Sequence, residues 1–449
     1  MTRDQFLKLT STLTLGAALP SMTGCGPKPG PQTHNWAGNI EYSTTDLRTP
    51  GTLEDLPALV KELDHVKAQG TCHCFNRIAD SKDVLLSTRQ FNKAVSIDKG
   101  KSTVTVEAGI KYGDLAPWLH QQGYALHNLA SLPHISVAGS VSTATHGSGV
   151  GNGNLSTAVE GVEFIDAKSN KVSLSREKDG DKFQGAVVAL GALGVFTHMT
   201  LRVQPTFDVR QWVFEKLPLD QLYANFEGIM SAGYSVSLFT DWQQGSVNEV
   251  WVKDKADMIR PAPDGKTFYG ATPATRDMHP IAANDAVNCT PQMGVPGPWY
   301  ERLPHFKMGF TPSSGVELQS EYFVPFEHGV EAMKAMATLA KEIGPHLFIS
   351  EIRSIAADEL WMSMAYKRKS IAIHCTWKQE TDAVMALLPK IEKLLEPFSP
   401  RPHWGKLFTL PLPVLESRYE RIKDFRALAK EYDPNGKFIN DFLKTNVFG

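Results

Sequence analysis

Apolar residues at Leu56, Leu59, Val60 and Leu63 recur three and four positions apart, a spacing that predicts a helix with one buried face. Thr52 and Asp55 form a capping-box pattern at its start, and the helix is predicted to run toward Ala68 and to stop at Gly70. Val104, Val106 and Ala108 then alternate to one side of a strand, and Leu115, Trp118 and Leu119 mark a short helix. Val162 to Ala167, Lys171 to Leu174 and Val195 to Val203 read as strands, the last with Val195, Thr197, Met199, Leu201 and Val203 on one face. Helices and strands are mixed, which points to an α+β fold.

A break near Pro205 leads into a segment rich in Trp, Phe and Tyr and then a proline-rich stretch from Pro261 to Pro312, where a second domain is expected. Periodicity predicts two helices within it. One carries Val330, Met333, Ala337 and Ala340, and the other Val384, Leu387, Leu388, Ile391, Leu394 and Leu395. Between them, alternation in ISEIRSI puts Glu351 and Arg353 on one face with Ile352 opposite. In IAIHCTW it puts His374 and Thr376 on one face, with Ile373 and Cys375 opposite. If that face is buried, its acid, base and cation must be paired, because unpaired burial costs several kcal/mol. Two readings stand: a polar pocket lined by both strands, or a solvated cross-strand surface with His374 as a satisfied core residue. A last helix, with Ile422, Phe425, Leu428 and Ala429, leads to a turn at Asp433 to Phe438.

With 449 residues the chain can form two or three domains. Its 46 basic and 48 acidic residues give no electrostatic reason to expect a nucleic-acid partner. Arg3 and Lys8 precede a weakly apolar run from Leu9 to Leu19, and Met22-Thr23-Gly24-Cys25 and a Pro/Gly-rich spacer follow. That order reads as an export signal ending in a bacterial lipoprotein cleavage site, with Cys25 the lipidated first residue. Thr2 to Lys8 also resembles a twin-arginine signal in which Asp4 replaces one arginine. The expected location is periplasmic or membrane-anchored. No later run reaches the roughly 18 apolar residues needed to span a bilayer. Cys72, Cys74, Cys289 and Cys375 have no zinc-site or disulfide-framework spacing, so no metal is expected.

The stretch from Ala130 to Gly153, ASLPHISVAGSVSTATHGSGVGNG, is rich in glycine and small hydroxyl residues. Such a segment can turn backbone N–H groups together toward phosphate oxygens; the alternative is a glycine-rich surface loop. The dinucleotide fingerprint of the doubly wound fold fails here, because Asn152 stands where the third glycine after Gly147 and Gly149 belongs.

Gly70-Thr71-Cys72-His73-Cys74-Phe75-Asn76, the SLPHISVAGSVSTATHGSG segment and the terminal DPNGKFIN together resemble the vanillyl-alcohol-oxidase-type flavoproteins. Within that group the chain is similar to the alditol oxidases, through TPSSG at Thr311 to Gly315, SEIR at Ser350 to Arg353 and RPHWGK at Arg401 to Lys406. The resemblance implies a two-subdomain FAD-binding domain over 35–205, after an export signal and spacer over 1–34. An α+β substrate (cap) domain would follow over 206–407, and the segment 408–449 would complete the FAD-binding domain. It implies FAD attached covalently through His73. It further implies cofactor contacts at Ala68, Gln69, Gly70, Thr71, Cys72, Cys74, Ser131, Ser136, Gly139, Thr143, Ala144, Thr145, His146, Val195 and His403. Substrate contacts are implied at Ser131, Glu351, Arg353, Thr376 and Lys406, with His374 and Lys406 catalytic.

The G-S-G-H-S pattern of that group is altered, since Cys72 replaces its second glycine and Cys74 its last serine. A cysteine at position 72 implies a negative φ there, or a phosphate that lies farther away. A cysteine beside the flavin would also be redox active if its pKa were low. The implied reaction oxidises the terminal alcohol of an alditol such as xylitol or sorbitol and reduces dioxygen to hydrogen peroxide. His374, assisted by Lys406, would accept or polarise the hydroxyl proton. Ala130, small and matching a position beside the flavin, would leave room for oxygen. Two rival functions remain: a sugar-1,4-lactone oxidase or dehydrogenase of the same group, and a sugar-binding lipoprotein without turnover.

Overall fold

Period-two alternation, more than helical periodicity, organises this chain: most of it hangs on three β-sheets of different size. The computed structural model describes residues 33–243, 245–258, 267–309 and 316–449. The export signal, Cys25 and the Thr311–Gly315 segment lie outside the described residues.

The first sheet is small and parallel, with Val84–Ser87 between Leu47–Arg48 and Val66–Gln69. The second is antiparallel, with five strands in the spatial order Ala94–Asp98, Thr103–Glu107, Val195–Arg202, Val159–Ile165 and Lys171–Ser175. Val104, Val106, Met199 and Leu201 are buried on it, as the alternation predicts. The third has nine strands, and its centre runs Asp208–Pro218, Ser246–Lys255, Ser235–Thr240, Leu347–Ile355, Ser370–Lys378 and Glu317–Pro325, all antiparallel. The helix Thr381–Leu395 buries Val384, Leu387, Leu388, Ile391 and Leu395, the stripe its sequence predicts. Among the described residues no helix is long and apolar enough to cross a membrane.

The first predicted helix ends early, at Glu62, and Val66–Gln69 is a strand. A short apolar run cannot by its period distinguish the two states, and parallel pairing with Val84–Ser87 decides it. Only half of the capping box forms, with Asp55 accepting from Thr52 N at 2.9 Å. The helix expected through Ala340 stops at Ala337, and Ala340–Ile343 is a separate turn.

The turn near the C-terminus is also a clasp. Asp433 accepts from the backbone N–H groups of Lys437 and Phe438, and Gly436 supplies a φ of +74°. Asn440 then donates to the carbonyls of Arg77, Ile78 and Asp80. Lys67 donates to Leu190, Gly191 and Phe438, so its buried ammonium laces three distant segments together.

Candidate active site

Strand register assembles the chemistry. Glu351 lies opposite His374, and His374 lies opposite Glu321, so three adjacent strands present a row of ionisable groups. Phe239 continues the row at one end, and at the other His403 N donates to Glu321 O. The opposite face of the same strands carries Ile352, Ile373 and Tyr322, all buried. The polar face is therefore enclosed, and the pocket reading is the one the structure adopts. Its pairing differs from the simple acid–cation pair that the alternation suggests.

Glu321 sits at the centre of that pairing, with its side chain completely buried. Its Oε2 accepts from Lys406 Nζ at 2.6 Å and its Oε1 accepts from Arg353 Nη2 at 3.0 Å, while the His146 ring places Nε2 3.2 Å from Oε1 and turns Nδ1 to Gly147 O. Burial alone would push this carboxyl up, but Lys406, His146 and Arg353 hold it well below the usual carboxylate range. Sequence reasoning missed Glu321. Its signal was the alternation of Glu317, Gln319 and Glu321 in a strand otherwise apolar enough to be internal.

Arg353 also donates to Ser131 Oγ at 3.2 Å, and its Nε stands 3.6 Å from Glu351 Oε1. Lys406 donates to His374 Nδ1 at 2.8 Å, which makes Nδ1 an acceptor and leaves Nε2–H facing Thr376 Oγ1 at 2.9 Å. Burial, and then the adjacent Lys406 charge, push the His374 imidazole well below its ordinary value, so it is neutral at neutral pH. Burial lowers Lys406 as well, against the opposing pull of Glu321.

All the predicted site residues except Gln69, Ala144 and Val195 line one cavity, which reaches from the 68–74 and 136–146 segments to Glu351 and Lys406. Ala130 lines it too. Val195 instead joins Leu56, Val60 and Phe438 in a separate apolar cluster, because its strand turns that face away; Leu190, Gly194 and Phe196 take the lining positions. Gln69 and Ala144 are buried behind the lining.

The cavity suits a flavin nucleotide. The two small-residue segments meet closely: a Cβ on Gly70 would stand 2.7 Å from Ser136 Oγ, and one on Gly139 2.9 Å from it. Ser136 N donates to Thr71 Oγ1 at 3.1 Å, which fixes one segment on the other. Both ring nitrogens of His73 are shielded from solvent and find no hydrogen-bond partner among the described residues. Trp36 stacks on that ring at 5.4 Å, and burial lowers its pKa to about 3, so a neutral nitrogen is available to bond a flavin ring. Ala68, Gly70 to Cys74, Ser136, Gly139, Thr143, Thr145, His146 and His403 would hold the group.

Of the two alternatives at Cys72, a negative φ is not the one adopted. Its φ is +62°, a conformation that costs a residue with a Cβ roughly 1–2 kcal/mol. Arg89 holds it there, donating to Cys72 Sγ at 2.8 Å and to Gly70 O at 2.8 Å. Neither neighbouring thiol is activated: burial raises Cys72 and pushes Cys74 up to about 12. That removes the low-pKa redox cysteine considered from sequence.

Comparison with known proteins agrees with this geometry. A family model described as D-arabinono-1,4-lactone oxidase matches residues 314–446, and one described as an FAD binding domain matches residues 47–175. The chain is 46% identical over 422 residues to an alditol oxidase from Streptomyces sp. (strain IKD472 / FERM P-14339), spanning 92% of this chain and 99% of that protein. It is 26% identical to an L-gulono-1,4-lactone dehydrogenase from Mycobacterium tuberculosis (strain ATCC 25618 / H37Rv), over 91% of this chain and 97% of that one. An L-gulonolactone oxidase from Mus musculus is 24% identical, over 92% and 98%. Among solved structures, cholesterol oxidase from B. sterolicum superposes with a TM-score of 0.72 at 14% identity, over 92% of this chain and 96% of that one, a likeness of fold.

Proposed function

The chain belongs to the alditol oxidase family of FAD-dependent flavoproteins of the vanillyl-alcohol-oxidase type, and from that premise we propose that it oxidises the terminal primary alcohol of an alditol to an aldose. The observation that carries this reading is the convergence of Ser131, Glu351, Arg353 and Lys406 on one cavity. Together they offer hydrogen-bond donors and acceptors to an uncharged chain of hydroxyls, and such a site rejects analogues that lack them. FAD, held through His73, would supply the two-electron acceptor and pass those electrons to dioxygen, giving hydrogen peroxide.

The protein's own task is to take the hydroxyl proton. Lys406 Nζ already points a proton at His374 Nδ1. Moving that proton onto Nδ1 leaves Nζ with a lone pair that can accept the proton of a substrate hydroxyl. The net gain is one proton, residing on His374, whose Nδ1 lies 3.9 Å from the Glu321 carboxylate.

The pH dependence follows from the two shifts. His374 is competent when neutral, and its pKa is lowered well below 6.5, so the acid limb of kcat/KM should fall well below 6.5. Lys406 has its pKa lowered from 10.5 by burial, and above it the free amine can take the substrate proton directly, so no loss of kcat/KM is expected from that titration. A kcat/KM profile with its acid limb at or above 6.5 would contradict the assignment.

A lactone substrate is the second reading, favoured by the family model matched over residues 314–446. Oxygen uptake by purified holoprotein across alditols and aldonolactones separates the two. Uptake with xylitol or sorbitol and not with lactones is expected, and the reverse order would make the lactone reading correct. In the same preparation, yellow colour that survives acid precipitation, and is lost in His73→Ala, checks the covalent bond.

A further inference from the structure

Glu351 has a partner that no strand pattern reveals. His305, buried against the rings of Phe239 and Trp251, places its Nε2 2.7 Å from Glu351 Oε1. Behind it stands Lys253, 1% exposed, whose Nζ reaches Leu303 O at 2.6 Å, Pro304 O at 3.0 Å and His305 Nδ1 at 3.0 Å. A carboxylate only accepts; Arg353 beside Glu351 keeps that carboxyl ionised, and burial keeps the His305 ring neutral. Nδ1 is therefore the unprotonated nitrogen, and Nε2–H must donate to the carboxylate. The reverse tautomer would set a ring lone pair against a carboxylate oxygen inside a dry pocket.

The same short segment controls a second substrate group. His305 N and Phe306 N donate to Ser131 O at 3.1 and 3.2 Å, while Arg353 holds the Ser131 hydroxyl from the other side. Among the described residues the hydrogen bond and ion pair of the Glu351 carboxylate, to His305 and Arg353, both fall on Oε1 and none on Oε2. His305 itself lines the cavity beyond Glu351.

We propose that Lys253 and His305 form a positioning pair that commits one oxygen of Glu351 and, by docking the 303–306 segment on Ser131, presents the other oxygen and the serine together to the hydroxyls of the substrate. The pair acts on binding of the polyol chain and not on the proton transfer, which belongs to His374 and Lys406. This inference rests on the reading of Glu351 as the acceptor for an alditol.

His305→Phe keeps an aromatic ring, slightly larger, between Phe239 and Trp251 but removes the donor. It should lower kcat/KM for xylitol or sorbitol by about 10- to 100-fold, as expected for losing a hydrogen bond to a charged group. The loss should appear in KM, with FAD content and kcat at saturation nearly unchanged. His305→Gln, whose amide can accept from Lys253 and donate to Glu351, should restore KM to near that of the unaltered enzyme. If the stranded Lys253 charge prevents His305→Phe from folding, the double variant Lys253→Met/His305→Phe removes it and must show the same rise in KM. An unchanged KM in either variant, or a glutamine variant as impaired as the phenylalanine one, overturns the pair. If the unaltered holoenzyme oxidises no alditol at all, it is the functional reading that fails.

Discussion

Replacing Glu321 by glutamine should yield a protein that folds poorly and does not turn over. The substitution keeps the shape of the side chain and removes the one negative charge that faces both Lys406 at 2.6 Å and Arg353 at 3.0 Å. Removing one partner of a buried pair strands the other in a medium that cannot solvate it, at a cost of about 3–5 kcal/mol. Arg353 keeps a second carboxylate, Glu351, within 3.6 Å, so the stranded group is chiefly Lys406. Lys406 would respond by giving up its proton, and it would lose the charge-assisted contact that holds Nζ beside His374. Denaturant unfolding of the holoprotein measures the first effect, and steady-state oxygen uptake the second. In the double variant Glu321→Gln/Lys406→Met part of the stability should return while activity stays absent. A Glu321→Gln protein within about 1 kcal/mol of the unaltered one would mean that the carboxylate is not the counter-charge of this cluster.

Lys406→Met should leave the fold largely intact, because Glu321 still has Arg353 at 3.0 Å, and should lower kcat about 100- to 10,000-fold, the range of a positioned proton acceptor. Rapid mixing with an alditol should show the deficit in the step that decolours the flavin, with FAD content unchanged. Lys406→Arg discriminates between the two ways a cation can help. A guanidinium preserves the charge but cannot release a proton at any accessible pH. If proton exchange with His374 is the mechanism, the arginine variant is as slow as the methionine one. If it recovers most of the rate, Lys406 acts only as a fixed charge beside a developing alkoxide.

The site was half legible in the sequence, for a reason that lies in strand geometry. Glu351 with Arg353, and His374 with Thr376, stood out because alternation placed chemically unlike residues on one face of two neighbouring strands. Register across strands is not written in any one of them. Glu321 therefore escaped notice, although Glu317, Gln319 and Glu321 repeat with the same period. Lys253 and His305 were harder still. A lysine in an alternating strand ordinarily reads as a solvated face, and only the tertiary fold buries it against Leu303, Pro304 and His305. At Cys72 the missing glycine did not change the backbone it had served: the left-handed conformation remains, and Arg89 braces the cysteine that adopts it. Elsewhere the differences are local: the helix predicted to run toward Ala68 gives way to the strand Val66–Gln69, because parallel pairing is invisible in a four-residue run.

The row of Glu351, His374 and Glu321, with Lys406 at its edge, binds a polyol and takes its hydroxyl proton, so that the alcohol can be oxidised by FAD. Mixing the purified holoprotein with xylitol or sorbitol in the absence of oxygen, while following the colour of the flavin, tests it most directly. The account predicts complete bleaching by the alditol and recovery of colour when oxygen is admitted, with one hydrogen peroxide formed per flavin. A flavin that stays yellow in excess alditol, yet is bleached by an aldonolactone or by neither, would contradict it.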